Sequence, residues 1–287
     1  MQALLIIVAI ILGILFSDGH IWTFLIRYNL MGMLFITFLG IQIDRSIIQK
    51  NHFLVLALNV ALPPVFFFLL QPFDDTVALA TLVIGLAPTA AASPVVASFF
   101  KAKVETVTAS VLVTSPGIAL LLPFILPQLI SVEQPIPVWE IMRPILQIVF
   151  IPLGLSLIAK QIAPSIIPFF KKYNKLPFAL FLVNIYIASA KATNFISEEM
   201  QSSWMVLVWI ALAVGGLCIL NFLIGERLGP GGRSIEYSLA LGRKNTMFSI
   251  WLSLTFLSPI VALGPMFYVL WQNAYNSWQL YERGGEL

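Results

Sequence analysis

Residues 78–100 read ALATLVIGLAPTAAASPVVASFF, an apolar run long enough to cross a bilayer but interrupted by Gly85, Pro88 and Pro94. A second run, IEYSLALGRKNTMFSIWLSL over residues 235–254, is interrupted near its middle by Gly242, Arg243, Lys244 and Asn245. Proline removes a backbone donor and crowds the preceding turn, while two adjacent charges do not sit in a lipid-facing helix, so both runs read as broken spans. Unwound backbone at membrane depth persists only inside protein or beside water, and breaks at matched positions point to a transporter's binding site. Prolines that merely kink a packed helix are the plainer explanation of the first break. The second break, with charges in it, favours the functional one.

Composition supports this setting. Of 287 residues, 59% are hydrophobic and 10% charged, against about 25% charged in an average soluble domain. Apolar stretches of roughly twenty residues alternate with short polar segments, as a hydrocarbon layer about 30 Å thick requires. Spans are expected near residues 2–16, 21–43, 53–71, 77–100, 104–130, 144–162, 176–195, 203–225, 235–258 and 260–281. The N-terminal MQALLIIVAIILGILFSDGH lacks the basic start and small-residue cleavage site of a secretory signal, and counts as the first span.

With this span order, Arg45, Lys50, Lys101, Lys103, Lys160, Lys171, Lys172, Lys175, Arg227, Arg233 and Arg283 fall on one side. Arg27, Arg143, Lys191 and the acidic pairs Asp74/Asp75 and Glu198/Glu199 fall on the other. Basic loops stay cytoplasmic, so both termini are expected in the cytoplasm, with the chain in a plasma membrane, the inner one of a bacterium. Ten spans divide into five and five, and an odd number per half makes the halves enter in opposite directions. The expected fold is therefore an all-α membrane protein of about ten transmembrane helices in two inverted five-helix repeats, with helices 4 and 9 broken.

A net charge of +3 with no basic, aromatic-interleaved run excludes a nucleic-acid partner. The single cysteine, Cys218, lies in an apolar run and reads as packing; there is no CxxC and no soft-metal cluster. No resident cofactor is expected. An intramembrane enzyme would need two aspartates, a Ser with a His, or a His/Glu cluster within the spans, and none is present. His20 and His52 are placed in loops and read as solvated. Trp22, Trp139, Trp204 and Trp278 near span ends read as interfacial anchors.

Two longer stretches carry a family resemblance. GLAPTAAASPVVASFFKAKVETVTASVLVTSPGIALLLPFIL, residues 85–126, places small residues and Pro before a Ser in the broken helix, then a short polar turn and a Ser/Thr-containing, Pro-ended helix. LALGRKNTMFSIWLSLTFLSPIVALGPMFYVLWQN, residues 239–273, has a G-x-x-N core, an apolar run ending in Pro, and a Trp-x-Asn close. Together they resemble the bile acid:sodium symporter family of secondary transporters. The resemblance implies a panel domain of about residues 1–52 and 137–202 and a core domain of about 53–136 and 203–287. It also implies an organic anion bound between them and two sodium ions at the crossing helices.

The family's sodium ligands carry over poorly. Ser93 matches a family serine, but Pro94 stands where an asparagine is usual. Val107 and Val111 stand at hydroxyl positions, with Thr108, Ser110, Thr114 and Ser115 close by. Asn59 replaces a glutamine. Where the family has Glu-x-Gly-x-Gln-Asn, this chain has Ala240, Leu241, Gly242, Arg243, Lys244 and Asn245. No metal site is therefore expected, and sodium is left open.

An unpaired lysine at mid-span costs about 2.5–3.5 kcal/mol, so Lys244 needs partners. One expectation is that its ammonium takes sodium's place at the carbonyls ending the half-helix near Leu239–Gly242, weakening or abolishing sodium coupling. Others are that Lys244 or Arg243 holds a substrate carboxylate, or that either side chain snorkels. Asn59, Thr89, Ser93, Pro94, Arg243, Lys244 and Asn245 form the expected substrate-binding or crossover set. The hydroxyl and amide members have helix packing as the plainer role. Asn184, inside another apolar span, either lines the same cavity or bonds to a neighbouring helix. The expected function is secondary active transport of a small organic anion by alternating access; a non-transporting ligand sensor or a channel using the same cleft is the alternative.

Overall fold

The computed structural model describes residues 2–40, 47–129, 137–172, 175–198, 204–229 and 234–283. Arg45, Glu199 and Arg233 of the charge argument lie outside them, as do the side chains of Lys171, Lys172 and Arg283. The described residues form an all-helical structure. In chain order the helices are α1 (Gln2–Leu15), α2 (Leu25–Gly40), α3 (Lys50–Leu70), α4 (Asp75–Gly85), α5 (Ser93–Phe99), α6 (Val104–Leu129) and α7 (Val138–Ile162). Then follow α8 (Ile166–Lys172), α9 (Leu176–Glu198), α10 (Met205–Leu228), α11 (Ile235–Gly242), α12 (Thr246–Phe256) and α13 (Leu263–Arg283). Five of them, α3, α6, α7, α9 and α10, are long and apolar enough to cross a membrane individually.

Both interrupted runs are broken into helix pairs. Asp74 caps α4 by accepting a hydrogen bond from the Val77 N–H at 3.0 Å, and Asp75 adds negative charge to the first turn. The helix stops at Gly85, just ahead of Pro88, which has no N–H to continue it. Pro94 is not part of the break but opens α5 at its first turn, where a missing N–H costs nothing. In the second run Asn245 caps α12, its Oδ1 accepting from the Phe248 N–H at 3.2 Å. The G-x-x-N core thus has a local meaning: Gly242 ends one half-helix and Asn245 starts the next.

The chain separates into two compact units, each discontinuous in sequence. Residues 1–45 and 115–200 make the first: α1, a 3-10 turn over Ser17–Trp22, α2, the second half of α6, and α7 to α9. Its helices are tied by polar side chains that reach across apolar interfaces. Ser189 on α9 donates to the Ile10 carbonyl at 2.9 Å, Asn29 on α2 donates to Asn184 Oδ1 at 2.7 Å, and Arg27 bonds to Gln147 on α7. Asn184 therefore bonds to a neighbouring helix within this unit.

The second unit holds residues 46–114 and 201–287: α3 to α5, the first half of α6, and α10 to α13. His52 corrects a sequence expectation. Helix α3 starts at Lys50, three residues earlier than expected, so His52 lies in its first turn, fully buried, rather than in a solvated loop. Its Nδ1 accepts from the Gln49 N–H at 2.8 Å and its ring stacks on Tyr237 of α11, with centroids 5.7 Å apart. The four tryptophans expected as interfacial anchors are all exposed.

Candidate functional site: the crossing of two broken helices

The two breaks meet inside the second unit. Thr89 and Lys244 form an antiparallel bridge, in which the Ala90 N–H donates to the Arg243 carbonyl at 2.9 Å and the Asn245 N–H to the Pro88 carbonyl at 2.8 Å. The unwound backbone of each break thereby satisfies donors and acceptors of the other, which is how non-helical chain survives at depth.

Side chains extend the exchange in both directions. Thr89, from the first break, donates through Oγ1 to the Ala240 carbonyl at 2.7 Å, near the end of α11. Lys244, from the second, donates through Nζ to the Gly85 carbonyl at 2.9 Å, at the end of α4, and to Asn59 Oδ1 on α3. Each break caps the half-helix of the other. The carbonyls at a helix C-terminus carry the negative end of its dipole, so an ammonium there is electrostatically well placed. The structure thus moves Lys244 from the site expected for it, at Leu239–Gly242, to the end of the other broken helix.

Glycine at 85 makes this reach possible. A Cβ there would lie 2.7 Å from the Pro63 ring on α3, so only glycine lets α4 end hard against the helix that carries Asn59. The end of α11 is closed by other groups. Tyr268 on α13 donates its hydroxyl to the Gly242 carbonyl at 2.8 Å, and the Arg243 N–H bonds back to Leu239 at 3.1 Å. Gln272, one turn beyond Tyr268, accepts from the Lys244 N–H at 3.1 Å. The first break is held by Thr114 on α6, whose Oγ1 accepts from the Thr89 N–H at 3.1 Å.

Five of the seven expected residues are therefore directly in or on this crossing: Asn59, Thr89, Arg243, Lys244 and Asn245. Ser93 and Pro94 take part by starting α5 at the edge of the first break. Ser93 is fully buried with no partner for its hydroxyl, though its N–H closes a turn onto Ala90 at 2.9 Å. Val107 and Val111 are buried apolar side chains on α6. Sequence reasoning missed Tyr268 and Gln272, and read Gly85 only as a helix breaker; Gln272 is the middle residue of the Trp-x-Asn close, and that position was its one available signal.

The electrostatics are unusual. Lys244 is 1% exposed and Arg243 8%, whereas no Asp or Glu is buried among the described residues. Arg243 Nε has no hydrogen-bond partner. Lys244 has two neutral acceptors, whereas the buried Arg243 guanidinium keeps an unspent donor and no buried carboxylate among the described residues, so its desolvation calls for an acceptor from elsewhere.

A model of the Sodium Bile acid symporter family matches residues 30–199, more than half of the chain. The protein belongs to that family. A comparison with curated proteins found no match. Family membership and the long apolar helices make the chain an integral membrane protein of a transporter family. The matched stretch contains the first break and ends before the second, where Arg243 and Lys244 lie.

Proposed function

We propose that this symporter-family protein is a secondary transporter of a small organic anion, working by alternating access without a dissociable sodium ion at its crossover. The carrying observation is the position of Lys244 Nζ, bonded to the end of α4 and to Asn59. Sodium needs several oxygen ligands and benefits from a carboxylate among them. Here the Gly85 carbonyl accepts from an ammonium, Ala240 from Thr89 and Gly242 from Tyr268, while the family's acidic position is Ala240. The Arg243 guanidinium, and Lys244 whenever it is protonated, place positive charge beside these carbonyls and repel a further cation by Coulomb's law at short range. The residues present do not suit sodium, and the tethered ammonium does its structural work.

In this reading Arg243 holds the substrate. A guanidinium offers a planar fork that matches a carboxylate, and this one is buried with Nε unspent. The Asn245 amide on the same crossover and Ser93 Oγ at its edge supply neutral polar contacts. In this reading about residues 53–136 and 203–287, which carry the crossover, act as the core domain and about residues 1–52 and 137–202 as the panel, and alternating access opens the site to either side of the membrane in turn. The ten spans form two inverted five-helix repeats, α4/α5 and α11/α12 being the equivalent broken helices. Both termini are cytoplasmic and the membrane is the plasma membrane.

Counterflow into proteoliposomes tests the proposal, with radiolabelled benzoate, pyruvate and gluconate as probes and N-methylglucamine replacing all sodium. Saturable exchange of at least one probe, unchanged when sodium is restored, is the expected result. Exchange that requires sodium, or no exchange of any of the three, would refute it.

A further inference from the structure

Given the sodium-independent reading above, on which this step rests, we infer that Lys244 is the chain's proton-binding site and that the organic anion is carried together with a proton. An amine differs from a metal-filled site in one respect: it can lose its charge without leaving. The geometry allows that. A neutral amine keeps two N–H donors, which is the number Lys244 Nζ spends on the Gly85 carbonyl and Asn59 Oδ1. Protonation adds a third donor and a charge without disturbing either contact. Both partners are neutral, so neither locks the proton in place as a carboxylate would.

The surroundings leave the same freedom. Charged or titratable groups close to Lys244 are Arg243 beside it, Cys218 on α10 and Tyr268 on α13. On α3 the nearest such group is His52, seven residues from Asn59, roughly 10 Å along the helix. On α4 it is Asp75, ten residues from Gly85, roughly 15 Å away along the axis. On α11 Glu236 and Tyr237 lie at the opposite end of the helix, and α12 carries no titratable side chain. The charge on Lys244 therefore answers to what binds beside it. A carboxylate on Arg243 favours the protonated amine, and by reciprocity the protonated amine favours the carboxylate. Anion and proton load as a pair, and release of either weakens the hold on the other.

A polar file reaches the crossover at the Lys244 backbone. Tyr268, Gln272, Asn276 and Gln279 recur at helical spacing on one buried face of α13. Asn276 bonds to the Gln272 carbonyl and Gln279 Nε2 donates to Ser238 Oγ at 3.0 Å, yet Asn276 Oδ1 and Gln279 Oε1 have no partner. Buried amide oxygens are ordinarily satisfied, by water when protein does not reach them. The two oxygens continue the line from Gln272, the residue that grips the Lys244 N–H, for about another 10 Å toward the end of α13. Such a row is suited to relaying a proton between the crossover and one membrane face.

The test follows the lysine itself. Protein labelled with 13C at lysine Cε is titrated in detergent from about pH 5 to about pH 10, a range that brackets the two states of a buried amine, with Lys244→Met assigning the signal. A reversible titration of the Lys244 resonance in that range, moved to higher pH by whichever of benzoate, pyruvate or gluconate exchanges, is expected. In proteoliposomes a pH gradient with the acid side outside, so that protons run inward, should drive accumulation of that probe in wild type and not in Lys244→Arg, which stays charged. A Lys244 signal fixed in one state across the range, with sodium-free exchange indifferent to the pH gradient, overturns the proton site alone. A sodium requirement overturns the underlying reading instead.

Discussion

Replacing Lys244 by alanine is expected to lower the melting temperature of the purified protein by on the order of 10 °C. The reason is local. The substitution leaves the Gly85 carbonyl and Asn59 Oδ1 facing one another inside the protein without a donor, and Asn59 Nδ2 is already unpartnered. Each buried acceptor so stranded costs about 1–3 kcal/mol, and about 1 kcal/mol shifts the midpoint of a chain this size by some 2–4 °C. Deleting the side chain also opens a space bounded by two oxygens at a helix C-terminus, which is what a small cation seeks. Adding sodium, but not N-methylglucamine, should therefore recover part of the loss in Lys244→Ala while leaving wild type unmoved. Differential scanning fluorimetry of both proteins reads this directly; a variant as stable as wild type would show that the ammonium holds nothing together.

The second large effect concerns Arg243, and it is opposite in kind. Arg243→Gln should reduce anion exchange about 10- to 150-fold, the equivalent of losing one charged hydrogen-bonded contact worth roughly 1.5–3 kcal/mol. Melting should change little, because Nε makes no hydrogen bond within the protein and removing a buried, uncompensated charge relieves desolvation. Arg243→Lys keeps the charge and loses the fork, so its exchange should fall between the two. Counterflow and melting measured on the same preparations separate these outcomes. Arg243→Gln that melts far below wild type, or exchanges as fast, would place the guanidinium in the scaffold and leave the anion unaccounted for.

The contrast between the two neighbours explains how much of the site was legible in sequence. That residues 78–100 and 235–254 are broken could be read from Pro88 and from the charges, because proline and mid-span cations have few physical interpretations in a membrane. That the breaks would touch was not derivable from local pattern; it came only with the family resemblance. Which helix end each side chain caps lay further out of reach. The ammonium of Lys244 was expected at the end of its own half-helix, α11, but that end is taken by Thr89 and Tyr268. Lysine's long stem instead crosses to α4, where Gly85 lets the chain approach α3 closely. Sequence shows that a lysine needs an acceptor and not which carbonyl is left over.

Boundaries behaved in the same way. Pro94 looked like part of the first break and is the start of the following helix, since proline ends one helix and begins another by the same missing N–H. His52 looked like a loop residue because charged and polar neighbours surround it in sequence. Helix α3 begins early enough to bury it against Tyr237. The polar face of α13 was hidden inside an aromatic-rich run whose Tyr268, Gln272, Asn276 and Gln279 declare themselves only when wound on a helix.

Whether a tethered ammonium has taken the place of a bound metal ion at the crossover decides how this protein is coupled. Equilibrium binding of radioactive 22Na+ to the purified wild-type protein measures this most directly. The prediction is no saturable component at sodium concentrations up to about 0.1 M, at which any site with a Kd of about 1 mM or below would be full. Saturable binding of one or more sodium ions per chain, with Lys244 intact, would contradict it.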